Sequence, residues 1–259
     1  MPEKFEVESY LEHFAKAAHT AGFGVTQYGE AGEFPLLAAD LNPGHPKMSA
    51  YLSTGIHGDE PAGPLALLAL MRQRWFDPEI AWHILPLLNP TGMEAGTRES
   101  QLSKLDLNRD FRSPKAHETR ALLQWLGHHG RPYDLALCLH EDWEAKGFYL
   151  YEINAPGAAQ PGRVILQSVE PVIGIDHSPE IDGLPALNGR IHPHTVTSLE
   201  TVEKWPEQLY IQHRHAALSF TLETPSSQPL PSRVIAHIVA IKTAVAQLLA
   251  PRLDNIFDI

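Results

Sequence analysis

The chain has 259 residues, 43% apolar, 8% aromatic and 20% charged, a globular composition and neither a collagen-like nor a disordered one. Twenty Lys and Arg stand against 31 Asp and Glu, a formal net charge of −11, so attraction to a phosphate backbone or an anionic lipid surface has no electrostatic support. A single cysteine, Cys138, excludes a disulfide framework and, inside an apolar run, reads as a buried small hydrophobe.

The opening MPEKFEVESYLEHF lacks a signal-peptide core, and no stretch approaches the ~18 apolar residues of a spanning helix. A cytoplasmic protein is expected, with neither nucleic acid nor membrane as a partner. Val7 to Ala18 places Tyr10, Leu11, Phe14 and Ala18 at helical spacing. Gly24 to Leu41 alternates loosely around Gly and Pro and predicts one or two short strands. Met48 to Thr54 reads as a strand that ends in the Gly-rich turn GIHGDEPAG, and Pro64 to Trp75 as an apolar helix. Ile80 to Leu88 is continuous enough to be a strand buried on both faces. Asn89 to Phe111 is irregular, and a long irregular segment inside a compact domain is usually functional.

A helix follows from Pro114 to His128, then a buried strand from Tyr133 to Leu139 that ends at His140, and a further strand from Gly147 to Ile153. Gln160 to Gly174 predicts a helix, His177 to His194 a loop, and Trp205 to His215 a helical patch. Ala217 to Thr224 is the last strand and Pro231 to Leu249 a C-terminal helix. This alternation predicts an α/β fold with a mixed, largely parallel central sheet sandwiched by helices. Sites in such sheets lie beyond the carboxyl ends of strands, where His57, His140 and Glu223 all fall.

His57 and Glu60, three apart in a turn entering a helix, can aim an imidazole nitrogen and a carboxylate oxygen at one zinc ion. The spacing alone also fits a solvated turn, and His177-Ser178-Pro179-Glu180 repeats it. His140, ending an apolar strand, is either a third ligand or a core histidine bonded to backbone. In DLNRDF, Arg109 offers a planar fork for a substrate carboxylate and Asn108 an amide contact. Asp106 can accept a hydrogen bond from the non-ligating nitrogen of His57. The bland reading of this stretch is a polar turn with an Asp–Arg surface pair. Arg98 can stabilise an oxyanion. Glu223, a carboxylate on an apolar strand, suits a general base or a salt-bridged strand end.

Taken with the NPTG turn at Asn89 to Gly92, these segments resemble the zinc metallocarboxypeptidases, the carboxypeptidase A-like group, in its compact bacterial or intracellular form. The resemblance implies one catalytic domain over 1–259 and one zinc ion held by His57, Glu60 and His140. It implies Asn108 and Arg109 on the substrate carboxylate, Arg98 on the oxyanion and Glu223 as base. The substrate would be a small peptide or N-acyl amino acid with a free carboxylate. The family's substrate-capping tyrosine falls to Tyr210, which lies closer to Glu223 than the family pattern has it.

The related succinylglutamate desuccinylase and aspartoacylase branch has the same zinc set, so an N-acyl amino acid deacylase is the alternative. That branch carries a β-rich region after its catalytic Glu, whereas the 36 residues after Glu223 read mainly as one helix. A silent zinc- or peptide-binding module and a two-metal aminopeptidase are more distant readings. Beside the ligands, a packed Trp143 with a solvated Asp142 is expected. His192 and His194 form either a polar loop or a second metal site, and Arg190 and Arg214 are candidates for side-chain selection.

Overall fold

The structure is a computed structural model that describes residues 5–154, 161–192 and 202–249. Its centre is an eight-stranded mixed sheet in the order β1-β2-β4-β3-β5-β10-β6-β9. The strands are β1 (Gly24–Ala31), β2 (Phe34–Leu41), β3 (Met48–Thr54), β4 (Ile80–Leu85), β5 (Leu135–Asp142), β6 (Tyr149–Asn154), β9 (Arg190–Ile191) and β10 (Leu218–Pro225). The four middle strands β4, β3, β5 and β10 run parallel, and β1–β2, β2–β4 and β10–β6 pair antiparallel. β3 and β4 are buried along their whole length, as their unbroken apolar runs require.

Helices cover both faces. α1 (Val7–Thr20), α2 (Ala62–Arg72), α5 (Gly162–Ile173) and α7 (Leu230–Leu249) pack around one apolar cluster that includes Phe14, Leu70, Trp82, Leu137, Phe220 and Ile241. Successive strand residues point to opposite faces, so the other face carries Tyr51, Ala136 and Tyr133 against α4 (His117–His129) and α6 (Glu207–Arg214). A short α3 (Pro90–Ala95) follows β4, and a two-stranded hairpin of β7 (Glu180–Ile181) and β8 (Leu184–Pro185) precedes β9.

Several boundaries differ from the sequence pattern for local reasons. The helix expected from Pro114 starts at His117, because Asp110 first accepts hydrogen bonds from the Lys115 and Ala116 amides and holds the chain in a turn. β5 continues past His140 to Asp142, so His140 lies within the strand and not at its end. The expected loop after residue 177 contains three two-residue strands, one of them joined to the main sheet. α7 corrects the expectation on apolar length: an 18-residue stretch within its 20 residues reaches a mean hydropathy of 1.4. Its Ala236, His237, Ala240, Ile241, Ala244 and Val245 are buried, and they form one face of the helix.

Candidate metal and catalytic site

The site forms where β3, β5 and β10, neighbours in the sheet, present their carboxyl ends. β3 leaves the sheet through Gly55, whose φ of +64° is left-handed and suits glycine. The chain then passes so close to the NPTG turn that a Cβ on Gly58 would lie 1.9 Å from the Gly92 carbonyl carbon. The Asn89 side chain accepts the Gly92 amide at 3.0 Å, capping α3, and donates to the Arg98 carbonyl at 3.2 Å. Two glycine-bearing turns therefore lock together, and they fix His57 and Arg98 relative to each other.

His57, Glu60 and His140 are all buried, at 2%, 4% and 2% exposure, with candidate ligand atoms within 4.8 Å of one another. His57 Nδ1 is 2.5 Å from Glu60 Oε1 and His140 Nδ1 is 3.1 Å from Glu60 Oε2. The other ring nitrogen of His57, Nε2, lies 3.1 Å from Asp106 Oδ1. When Nε2 donates to that carboxylate, Nδ1 keeps its lone pair, which is the tautomer a metal needs. Glu60 Oε2 is buried, and His140 Nδ1 at 3.1 Å is the polar group that faces it. Two imidazoles and one carboxylate, whose Oε2 is buried, form a donor set of three groups that fits zinc.

Charge in the site points the same way. Burial alone would neutralise His57, yet Glu60 and Asp106 outweigh it and push its imidazole up to about 9. Burial works against the Glu60 charge too, but His57 and His140 hold it below the ordinary carboxylate range. The cluster thus stabilises positive charge at its centre, the condition a dication exploits.

Glu223 lies on β10 directly opposite His140 on β5 and Tyr149 on β6. Its carboxyl is raised well above the ordinary range, chiefly by burial, with Glu60 and Asp142 adding to the rise and His140 and Arg98 opposing it. Asp106 ties the remaining groups together. Its Oδ1 also accepts the Asn108 amide at 2.8 Å, and its Oδ2 lies 3.3 Å from Arg98 Nε. Despite its burial, the bonds from His57 and Arg98 hold Asp106 well below the usual carboxylate range. Arg98 reaches to 3.7 Å from Glu60, and its side chain remains 39% exposed. Arg109 is exposed, and its guanidinium donates to the Asn108 carbonyl at 2.9 Å.

Tyr210, on α6, is half-buried, and its ring contacts are Phe111 and His215 at 5.7 and 5.9 Å. The structure reverses the expectation for Asp142 and Trp143. The indole is 74% exposed, while Asp142 accepts from the Tyr149 hydroxyl at 2.9 Å and the Glu144 amide at 2.8 Å. His177 pairs on the surface with Glu170 at 3.6 Å, and Glu180 is exposed on β7. Among the described residues, no metal-type cluster other than His57, Glu60 and His140 occurs. His192 and Arg190 instead lie 3.6 and 3.5 Å from Glu152, and His194 falls outside the described residues. Arg214 is exposed at the end of α6. Cys138 is buried, as expected. Glu207, Tyr51 and Tyr149 escaped the sequence reading, since each is an isolated residue whose partners lie on remote strands.

Residues 46–165 match the family model of the succinylglutamate desuccinylase/aspartoacylase catalytic domain. The fold is similar to that of a provisional metallopeptidase from Shewanella amazonensis, with 26% identity, TM-score 0.79, and 94% of this chain and 93% of the other covered. It is also similar to a metallo-carboxypeptidase from Burkholderia cenocepacia, with 18% identity, TM-score 0.67 and coverage of 94% and 70%. Carboxypeptidase A from Helicoverpa armigera aligns at 16% identity, TM-score 0.68 and coverage of 96% and 74%. No curated protein matches the chain. By its fold the chain is carboxypeptidase-like, and over residues 46–165 it is similar to the catalytic domain of the desuccinylase branch.

Proposed function

We propose that the protein is a zinc-dependent hydrolase that cleaves an amide bond next to a free carboxylate. One observation carries this: a buried His57–Glu60–His140 cluster has Glu223 in register beside His140 and Arg98 reaching to its edge. Zinc at such a site lowers the pKa of a bound water toward ~7 and polarises the scissile carbonyl. The chain's own residues do the rest. Glu223, sequestered from bulk water, takes the proton from the attacking water and delivers it to the leaving amine. His140 and Arg98 draw the Glu223 carboxyl down, while burial, Glu60 and Asp142 outweigh them and hold it above the ordinary carboxylate range. Arg98, aimed by Asp106, stabilises the oxyanion on the carbonyl. Arg109 and Asn108 grip the carboxylate and fix which bond faces the base.

The matched desuccinylase/aspartoacylase segment favours a second reading, removal of an N-acyl group from an amino acid on the same machinery. Mass spectrometry of products separates the two. The zinc-loaded protein is offered free-carboxyl peptides, γ-glutamyl peptides and N-acyl amino acids. Release of a single C-terminal residue identifies a carboxypeptidase, and cleavage of N-acyl amino acids alone identifies a deacylase. Absence of hydrolysis across the panel contradicts both.

A further inference from the structure

Glu207 is 1% exposed, opens α6 behind Pro206, and bonds two residues remote from it in sequence. Its backbone N–H donates to Asn108 Oδ1 at 2.8 Å. Its carboxylate Oε1 accepts from the Tyr51 hydroxyl on β3 at 2.6 Å. The next residue, Gln208, continues this polar layer: its amide donates to the Ser219 carbonyl at 3.1 Å and accepts from Thr221 at 2.9 Å. The end of α6 is therefore fastened to the strand face that carries the site.

The consequence falls on Asn108. A side-chain amide can turn by half a rotation at almost no steric cost and exchange its acceptor for its donors. A backbone N–H can only donate, so the Glu207 amide selects the oxygen of Asn108. With Oδ1 occupied, what Asn108 offers a ligand is the donor end, Nδ2. A donor beside Arg109 suits an anion; the opposite rotamer would set an acceptor against it and repel it.

We propose that Glu207 is the positioning residue for the site's carboxylate anchor: its backbone amide fixes Asn108 with the donors presented, and its side chain, held by Tyr51, keeps that amide in place. This rests on the reading of Asn108 and Arg109 as the grip for a substrate carboxylate. It also narrows the substrate class, because the anchor then accepts a carboxylate and rejects the corresponding neutral amide.

The test uses zinc-loaded protein in a Glu223→Gln background, with N-acetylglycine and N-acetylglycinamide as probes. Binding is followed through the side-chain amide NMR signals of Asn108. The acid is expected to shift those signals and the amide probe to leave them in place. Glu207→Pro removes the N–H at a first-turn position that tolerates proline. It should weaken N-acetylglycine about tenfold, the worth of one hydrogen bond to a charged site, with zinc stoichiometry unchanged. Glu207→Gln, which retains the N–H and an acceptor for Tyr51, should restore the affinity. Should Glu207→Pro fail to fold, Tyr51→Phe serves instead and should weaken the acid about threefold.

Wild-type affinity in the folded Glu207→Pro protein overturns the proposal. So does wild-type affinity in Tyr51→Phe where that variant stands in. Parallel loss of zinc and probe binding also overturns it, since that marks a merely structural residue. A wild-type chain that does not prefer the acid overturns the anchor reading itself. A preserved preference with unaffected variants removes only the role of Glu207.

Discussion

Asp106 meets three groups at once: His57 Nε2, the Asn108 amide and Arg98 Nε. In the proposed function it couples the zinc side of the site to the substrate side through one carboxylate. Such partners of ligating histidines set the ring tautomer, and their removal commonly lowers metal affinity ~10–100-fold. Asp106→Ala should therefore weaken zinc by that range, measured by competition with a chromophoric chelator, while the melting temperature of the zinc-free chain changes little. Unchanged zinc affinity would contradict the role given to Asp106.

At the scale of elements, α7 is fastened to the sheet next to the site. Arg233 pairs with Glu141, the residue after His140, and the Glu141 carboxylate also accepts the Ala62 amide at the start of α2 at 2.7 Å. The Glu141 side chain is wholly buried. Burial pushes its carboxyl up to about 7 even with Arg233 drawing it down. Removing one partner of a buried pair strands the other, at a cost of about 3–5 kcal/mol. Arg233→Ala should lose stability of that order in urea unfolding, and a loss below ~1 kcal/mol would show the pair to be dispensable. None of this was legible in the sequence, because Glu141 and Arg233 are lone charges 92 residues apart. The His57–Glu60–His140 cluster was legible, because His57 and Glu60 share one turn and His140 interrupts an apolar run. β1, β2, β3, α2 and α7 were legible for a similar reason, since their signals are periodic and local. Trp143 and Asp142 were misjudged because burial habit ranks tryptophan inside. Here the Tyr149 hydroxyl on β6 donates to the aspartate, and the neighbouring indole is exposed.

At the scale of the whole molecule, two buried neutral histidines make stability fall in acid. His83 sits between the Tyr133 hydroxyl, at 2.6 Å from Nδ1, and Arg131 at Nε2. Burial, reinforced by Arg131, lowers its pKa to about 3, and burial likewise lowers His237 on α7 to about 3. Unfolded histidine titrates near ~6.5, so between there and pH 3 the unfolded chain binds protons that the native chain refuses. The contribution of these two histidines is thus fully present above ~6.5 and declines as the pH falls toward 3. The urea midpoint of the zinc-loaded protein should drop between pH 7.5 and pH 5, and drop less in His83→Gln. An equal drop in both proteins would show that His83 is not responsible.

The central claim, that Glu223 is the base of a zinc hydrolase, is tested most directly by zinc stoichiometry and turnover measured together on wild type and Glu223→Gln. The account predicts one zinc per chain in both proteins, with turnover falling ~10²–10⁴-fold in the variant, the range expected for loss of a general base. Wild-type turnover in Glu223→Gln with zinc fully bound would contradict it.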